Sequence, residues 1–225
     1  MNALIFDFDD TILATFESRS SCLMDAASNF GYEISLNDIK TVWGKPFREM
    51  ILNLLPGIDY QKFYEHYRLV MEKHTPFLKE GASDILTLTK GMNHFVAIVS
   101  SSSQVLVLQD LKAVGIAQMV DRVWGQEDCL FHKPDPRVLN PVLDYLQDLN
   151  IPKSRCLYIG DSTADYFVAR EHRILFLAVT TGRDTANSFL QMGLESQYIH
   201  ESLTTLLSPG AIYQSFISNS FKLKT

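Results

Sequence analysis

The sequence predicts an α/β protein: a parallel β-sheet covered by helices and interrupted near its start by an all-helical insertion. Three observations carry this. Short apolar runs at 3–8, 95–100, 156–160 and 174–179 read as buried strands, and helical periodicity lies between the later ones, the pattern of a parallel sheet. The stretch from about 14 to 80 breaks the alternation; it holds no convincing strand, is too long for one crossover helix and is too apolar for a disordered loop. Polar clusters terminate several of the runs, and parallel sheets place their chemistry beyond the carboxyl ends of their strands.

Taken in order, Ala3, Leu4, Ile5 and Phe6 lead into Asp7-Phe8-Asp9-Asp10-Thr11. Residues i and i+2 of a strand share a face, so Asp7 and Asp9 can address one spot. Acids buried there are costly unless they do something, such as hold a cation. In the insertion, Cys22, Ala26 and Phe30 share one helical face, and Phe63, Tyr67, Val70 and Met71 another. Breaks fall at Gly31, Gly44-Lys45-Pro46 and Pro56-Gly57. The expected division is a helical domain at 14–81 inserted into a discontinuous core, 1–13 and 82–225, with its two connections close together near Ala14 and Gly81. Phe95–Val99 ends at Ser100, followed by Ser101. Leu139, Val142, Leu143, Leu146 and Leu149 follow helical spacing, with Asp135 as N-cap and Pro136 at the first helical position. Cys156–Ile159 ends at Gly160-Asp161-Ser162-Thr163-Ala164-Asp165. From about Pro209 no pattern is clear, and a short packed tail is expected.

With 225 residues the chain has room for one sizeable core, or a core plus a small second domain. The formal net charge is −6 and no dense Lys/Arg run occurs, so a nucleic-acid surface is not indicated. No apolar stretch approaches the ~20 residues that span a bilayer, and the N-terminal strand ending in acids does not read as a signal peptide. Cys22, Cys129 and Cys156 are few, odd in number and widely spaced, which suits reduced thiols acting as apolar filling in a cytoplasmic protein.

If the runs belong to one parallel sheet, Asp7 and Asp9, Ser100, and Asp161 and Asp165 reach the same edge. Such a set of hard oxygens, with no imidazole or thiolate nearby in sequence, suits Mg²⁺. Lys133, in His132-Lys133-Pro134-Asp135-Pro136, supplies a point positive charge, and Ser100 a hydroxyl and a loop amide. Metal, lysine and donors together can hold a phosphoryl group. One carboxylate can then attack phosphorus, and a second can protonate the leaving oxygen and later deprotonate water.

These residues resemble the haloacid dehalogenase superfamily of phosphatases, most closely its phosphoglycolate phosphatase-like branch, over roughly residues 2 to 206. Asp7–Thr11 matches the D-x-D-x-T motif, Ser100 the Ser/Thr after the second strand, Lys133 with Pro134 and Pro136 the K-P-x-P form of the lysine motif, and Asp161 with Asp165 the G-D-x-x-x-D motif. The resemblance implies a Rossmann-like parallel-sheet core with an inserted helical cap. It implies a Mg²⁺-dependent phosphomonoester hydrolase acting on a small phosphorylated metabolite, as a monomer or homodimer. Asp7 would be nucleophile and metal ligand. Asp9 would be general acid/base, with its backbone carbonyl on the metal. Thr11 would fix the loop beside the substrate. Ser100, Ser101 and Lys133 would bind phosphoryl oxygens, with Lys133 keeping Asp7 ionised. Asp161 would complete the metal site, and Asp165 would join it directly, through water, or by positioning Lys133.

Asp10 stands where many relatives have Gly; the expectation is a left-handed turn residue rather than a third metal-facing acid. Arg48 and Lys45 are candidates for substrate contact from the cap, against a solvated helix face. His66, Arg68, His74 and His132 read as ordinary surface, core or loop residues. The Asp7/Asp9 pair argues against carbon–halogen or phosphonate cleavage, whose family members lack the second Asp. A β-phosphoglucomutase-like sugar phosphomutase is the alternative, but those relatives commonly carry Glu-Asp where this chain has Gly160-Asp161. A phosphoacceptor resembling a response-regulator receiver would be about half as long and have no insertion. A partner-binding scaffold with a dead site would be expected to lack motif residues, and none is missing.

Overall fold

The computed structural model describes residues 1–43, 45, 47–73 and 76–218, so the expectations placed on Gly44, Pro46 and His74 lie outside the described residues. In chain order the strands are β1 (Ala3–Phe6), β2 (Phe95–Val99), β3 (Arg122–Trp124), β4 (Cys156–Gly160), β5 (Leu175–Val179) and β6 (Ile199–His200). The helices are α1 (Thr15–Asn29), α2 (Leu36–Val42), α3 (Phe47–Leu54), α4 (Tyr60–Met71), α5 (Ala82–Gly91), α6 (Gln104–Ala113), α7 (Asn140–Asp148), α8 (Thr163–Glu171), α9 (Ala186–Gln191), α10 (Leu203–Leu206) and α11 (Ile212–Ile217). The chain divides into two compact units: Met1–Ala14 with Leu78–Thr225, and Thr15–Phe77. Among the described residues no helix is long and apolar enough to cross a membrane.

The first unit is built on one parallel sheet with strand order β3-β2-β1-β4-β5-β6. Every residue of β1, β2, β4 and β5 is buried, because helices cover both faces; that is why these strands read as continuous apolar runs rather than alternating ones. Leu4, Phe6, Val96, Ile98, Leu157 and Ile159 face one layer, packed with residues of α5, α6, α10 and α11. Ala3, Ile5, Ala97, Val99, Cys156 and Tyr158 face the other, packed with α7, α8 and α9. The order of strands reverses at β1, the position where an open α/β sheet leaves a crevice at its carboxyl edge.

Sequence periodicity does not reveal the two edge strands. β3 has only three residues and opens on exposed Arg122, and β6 has two half-buried residues, both too short for a pattern to emerge. Asp135 does cap a helical turn, accepting from the Arg137 N–H, but Pro136–Leu139 is a 3-10 turn and the α-helix begins at Asn140. The C-terminal tail packs as expected, and part of it is helical, which no pattern in the sequence indicates. α11 buries Tyr213, Phe216 and Ile217 in the core, while Asn2 Nδ2 donates to the Phe216 carbonyl at 2.7 Å and His94 Nε2 meets the Ile217 carbonyl at 2.6 Å.

The second unit consists of α1–α4 around Cys22, Leu23, Ala26, Ile39, Ile51, Phe63 and Tyr67. A capping box between Ser35 and Asp38 starts α2, and the Asp59 side chain caps α4. Gly31 and Gly57 turn the chain with φ of +80° and +82°, values that favour glycine. Leu78 belongs to the first unit: it bridges Leu13, and the neighbouring Lys79 N–H donates to the Ile12 carbonyl at 2.9 Å.

The tail helix gives a test of the core. The Tyr213 hydroxyl sits 2.6 Å from Thr89 Oγ1 and 3.2 Å from the Ile85 carbonyl, with its ring fully buried. Tyr213→Ala should lower unfolding free energy by about 3–5 kcal/mol, read as a lower urea midpoint at unchanged slope. A change below about 0.5 kcal/mol would mean that the tail adds nothing to the core.

Candidate active site

Register brings the acids together. Phe6 lies opposite Ile98 of β2 and Ile159 of β4, so the residues just beyond these strands, Asp7, Ser100 and Asp161, emerge at neighbouring points of one edge. The Asp7 N–H donates to the Ile159 carbonyl at 2.9 Å, extending the ladder by one residue. The chain then turns back: Ile12 and Leu13 N–H groups both bond to the Phe8 carbonyl, at 3.0 and 3.1 Å. Asp10 takes the left-handed conformation with φ of +60°, as its position in the turn suggests. Its carboxylate is buried and lies 3.6 Å from Lys79 Nζ, and its carbonyl accepts from Thr181 Oγ1 at 2.7 Å.

Lys133 is the hub. Its buried ammonium donates to Asp7 Oδ1 at 2.5 Å and to the Val99 carbonyl at 3.0 Å, and lies 2.7 Å from Asp165 Oδ1. Asp165 is held from both sides. Its Oδ1 accepts from the Tyr158 hydroxyl at 2.8 Å, and its Oδ2 from Ser162 Oγ at 2.5 Å and the Ser162 N–H at 3.2 Å, the capping box that starts α8. Gly160 makes room for this: a Cβ there would stand 2.7 Å from the Asp165 carboxyl carbon.

Asp161 receives a hydrogen bond from Thr11 Oγ1 at 3.1 Å. Thr11 is fully buried, so it anchors Asp161 rather than lining an open surface. Gly182, after β5, packs so closely that a Cβ would fall 1.6 Å from Asp161 Oδ2. Asp9 lies on the other side, where its Oδ2 accepts from Ser100 Oγ at 3.0 Å and Ser102 Oγ at 2.9 Å. Ser101 is exposed beside them. In the helical unit, the Arg48 guanidinium lies over the Tyr60 ring at 5.2 Å, and Lys45 pairs with Glu49 at 3.0 Å as an exposed i,i+4 pair. Sequence reading does not single out Ser102, Tyr158 or Gly182. Ser102 is two residues past Ser100, a spacing that could have flagged it; Tyr158 is hidden inside an apolar strand.

The electrostatics are those of a cation site. Asp7, Asp161 and Asp165 are buried, and each can offer a carboxylate oxygen within 4.8 Å of the others. Burial, opposed by Lys133 and reinforced by Asp165 and Asp9, pushes the Asp7 carboxyl up to about 7. Lys133 therefore does attract the ionised form as expected, but desolvation outweighs it. Burial and the charges of Asp7, Asp165 and Asp10 hold the Asp161 carboxyl well above the usual range. Burial opposes charge on Lys133 too, yet Asp165 and Asp7 keep its ammonium strongly protonated. Asp165 spends both oxygens on Lys133, Tyr158 and Ser162, whereas Asp7 Oδ2 and Asp161 Oδ2 have no hydrogen bond among the described residues. An all-oxygen donor set with excess buried negative charge fits a hard divalent cation on Asp7 and Asp161.

A family model described as haloacid dehalogenase-like hydrolase matches residues 4–179. A protein of Caldanaerobacter subterraneus subsp. tengcongensis named as the pyrophosphatase PpaX is 28% identical over 80% of this chain and 81% of its own. A phosphoglycolate phosphatase of Neisseria gonorrhoeae is 26% identical over 56% of this chain and 50% of its own. A solved haloacid dehalogenase-like hydrolase from Bacteroides fragilis superposes with a TM-score of 0.72 at 26% identity, covering 91% of this chain and 99% of the other.

The charge balance predicts a pH-dependent response to metal. An acid raised on folding favours the folded state while protonated, so that contribution is lost as pH rises from 3.8 through about 7. A divalent cation binds the deprotonated carboxylates and offsets the loss. The rise in melting temperature on adding Mg²⁺ should therefore be clearly larger at pH 8 than at pH 5, and mostly absent in Asp161→Asn. Differential scanning fluorimetry measures this; equal shifts at both pH values would contradict it.

Proposed function

The chain belongs to the haloacid dehalogenase-like hydrolases and hydrolyses phosphoric monoesters, and we propose that it does so with Mg²⁺, through an aspartyl phosphate on Asp7, on a small phosphorylated metabolite. The observation that carries this reading is the meeting of Asp7, Asp9, Ser100, Lys133 and Asp161 at one sheet edge, from segments far apart in the chain.

In this reading a carboxylate oxygen of Asp7 attacks phosphorus as the bond to the leaving oxygen breaks. Asp9 gives that oxygen its proton, then takes one from the water that attacks the aspartyl phosphate, releasing phosphate and restoring Asp7. Lys133 holds Asp7 at Oδ1 and shares its charge with the phosphoryl oxygens, which also receive the Ser100 hydroxyl. Asp7 and Asp161 would hold Mg²⁺, whose chemistry is to neutralise phosphoryl charge and keep Asp7 ionised near neutral pH. Asp165 acts by fixing Lys133.

The helical unit, Thr15–Phe77, is proposed as the cap that selects substrate, with Arg48 as a contact to it. Hydrolysis is preferred to phosphomutase chemistry on a structural ground as well as a motif one. The Glu of a Glu-Asp pair would have to occupy position 160, where a Cβ already collides with Asp165.

An aryl phosphate assay tests the proposal. Turnover should require Mg²⁺ and vanish with EDTA, and Asp7→Asn should lower it at least ~10³-fold. Asp9→Asn should hurt alkyl phosphates more than an activated aryl phosphate, because only the former need the proton. Full activity in Asp7→Asn would remove the nucleophile from this account. Inorganic pyrophosphate and phosphoglycolate belong in the first substrate panel, since relatives carry those names.

A further inference from the structure

A serine that the motifs do not include is bonded directly to the proposed acid/base. Ser102 Oγ donates to Asp9 Oδ2 at 2.9 Å, and the Ser102 N–H donates to Ser100 Oγ at 2.9 Å. Ser100 Oγ donates to the same Asp9 oxygen at 3.0 Å, so the two hydroxyls, the Asp9 carboxylate and the Ser102 N–H close a small ring at the ends of β1 and β2. α6 follows at once, capped by Ser103, which accepts from the Leu106 N–H at 3.3 Å and fixes the backbone that carries Ser102.

Donor accounting gives this ring a direction. A serine hydroxyl has one hydrogen to give. When the Ser100 hydroxyl turns to a phosphoryl oxygen, it releases Asp9. Ser102 keeps its own hydrogen on Asp9 Oδ2, and its N–H still holds the Ser100 oxygen in place. We propose that Ser102 is a positioning residue, which keeps the Asp9 carboxyl aimed at the leaving oxygen while Ser100 serves the phosphoryl group. The proposal rests on the acid/base assignment of Asp9.

A hydrogen bond to a carboxylate of this kind corresponds to about a tenfold effect. Ser102→Ala should therefore lower kcat about tenfold on an alkyl phosphate, with KM little changed, and much less on an aryl phosphate with a good leaving group. Ser102→Thr, which keeps the hydroxyl, should restore most of the alkyl rate. A merely structural role would lower both rates together and move the melting temperature. Asp9→Asn is assayed alongside. If it shows leaving-group dependence and Ser102→Ala does not, the Ser102 assignment is overturned while that of Asp9 stands. If neither shows it, both are overturned.

Discussion

The Lys133 ammonium, shared between Asp7 and Asp165, is the contact on which the rest of the site depends. It joins the end of β1 to the start of α8 through a residue that belongs to neither, and the Val99 carbonyl ties it to β2 as well. Buried charges need partners, and removing one member of such a group leaves the others uncompensated. Here the compensation is incomplete. One lysine sits among three buried carboxylates, and burial, reinforced by repulsion from neighbouring carboxylates, holds the Asp7 and Asp161 carboxyls above their usual range. A divalent cation is the simplest addition that would balance the charge.

The scaffold makes this clustering possible by backbone means. Parallel pairing of β1 with β2 and β4 sets three strand ends side by side, so the polar residues that follow converge without long side chains having to reach. Two glycines admit the carboxylates closely: Gly160 under Asp165 and Gly182 against Asp161. Helix capping does further work, since the Ser162–Asp165 box that starts α8 also orients the oxygen that meets Lys133. Structure and proposed chemistry thus use the same side chain.

Much of this was legible in the sequence. The four buried strands announced themselves because two-sided burial produces unbroken apolar runs, and Asp10 could be read as a left-handed turn residue because the loop needs one. Of the roles open to Asp165, the geometry favours positioning of Lys133. What escaped was short or disguised. β3 and β6 lack the length for periodicity, and α11 follows a Pro-Gly break over only six residues. Tyr158 is apolar in pattern while its hydroxyl is polar in use, and Ser102 lies among four consecutive serines, marked only by its two-residue spacing from Ser100. Net acidity was also hard to foresee: a lysine beside an aspartate suggests a lowered carboxyl, but burial is a tertiary property and it prevails at Asp7.

In the proposed chemistry Asp7 captures phosphorus beside a cation held with Asp161. A crystal structure grown with Mg²⁺ and beryllofluoride, a mimic of the phosphoryl group on an aspartate, tests it most directly. The expected result is beryllium bonded to an Asp7 oxygen, Mg²⁺ ligated by Asp7 and Asp161, and Lys133 and Ser100 donating to the fluorides. An unmodified Asp7, with the cation and the beryllofluoride bound at other residues, would contradict it.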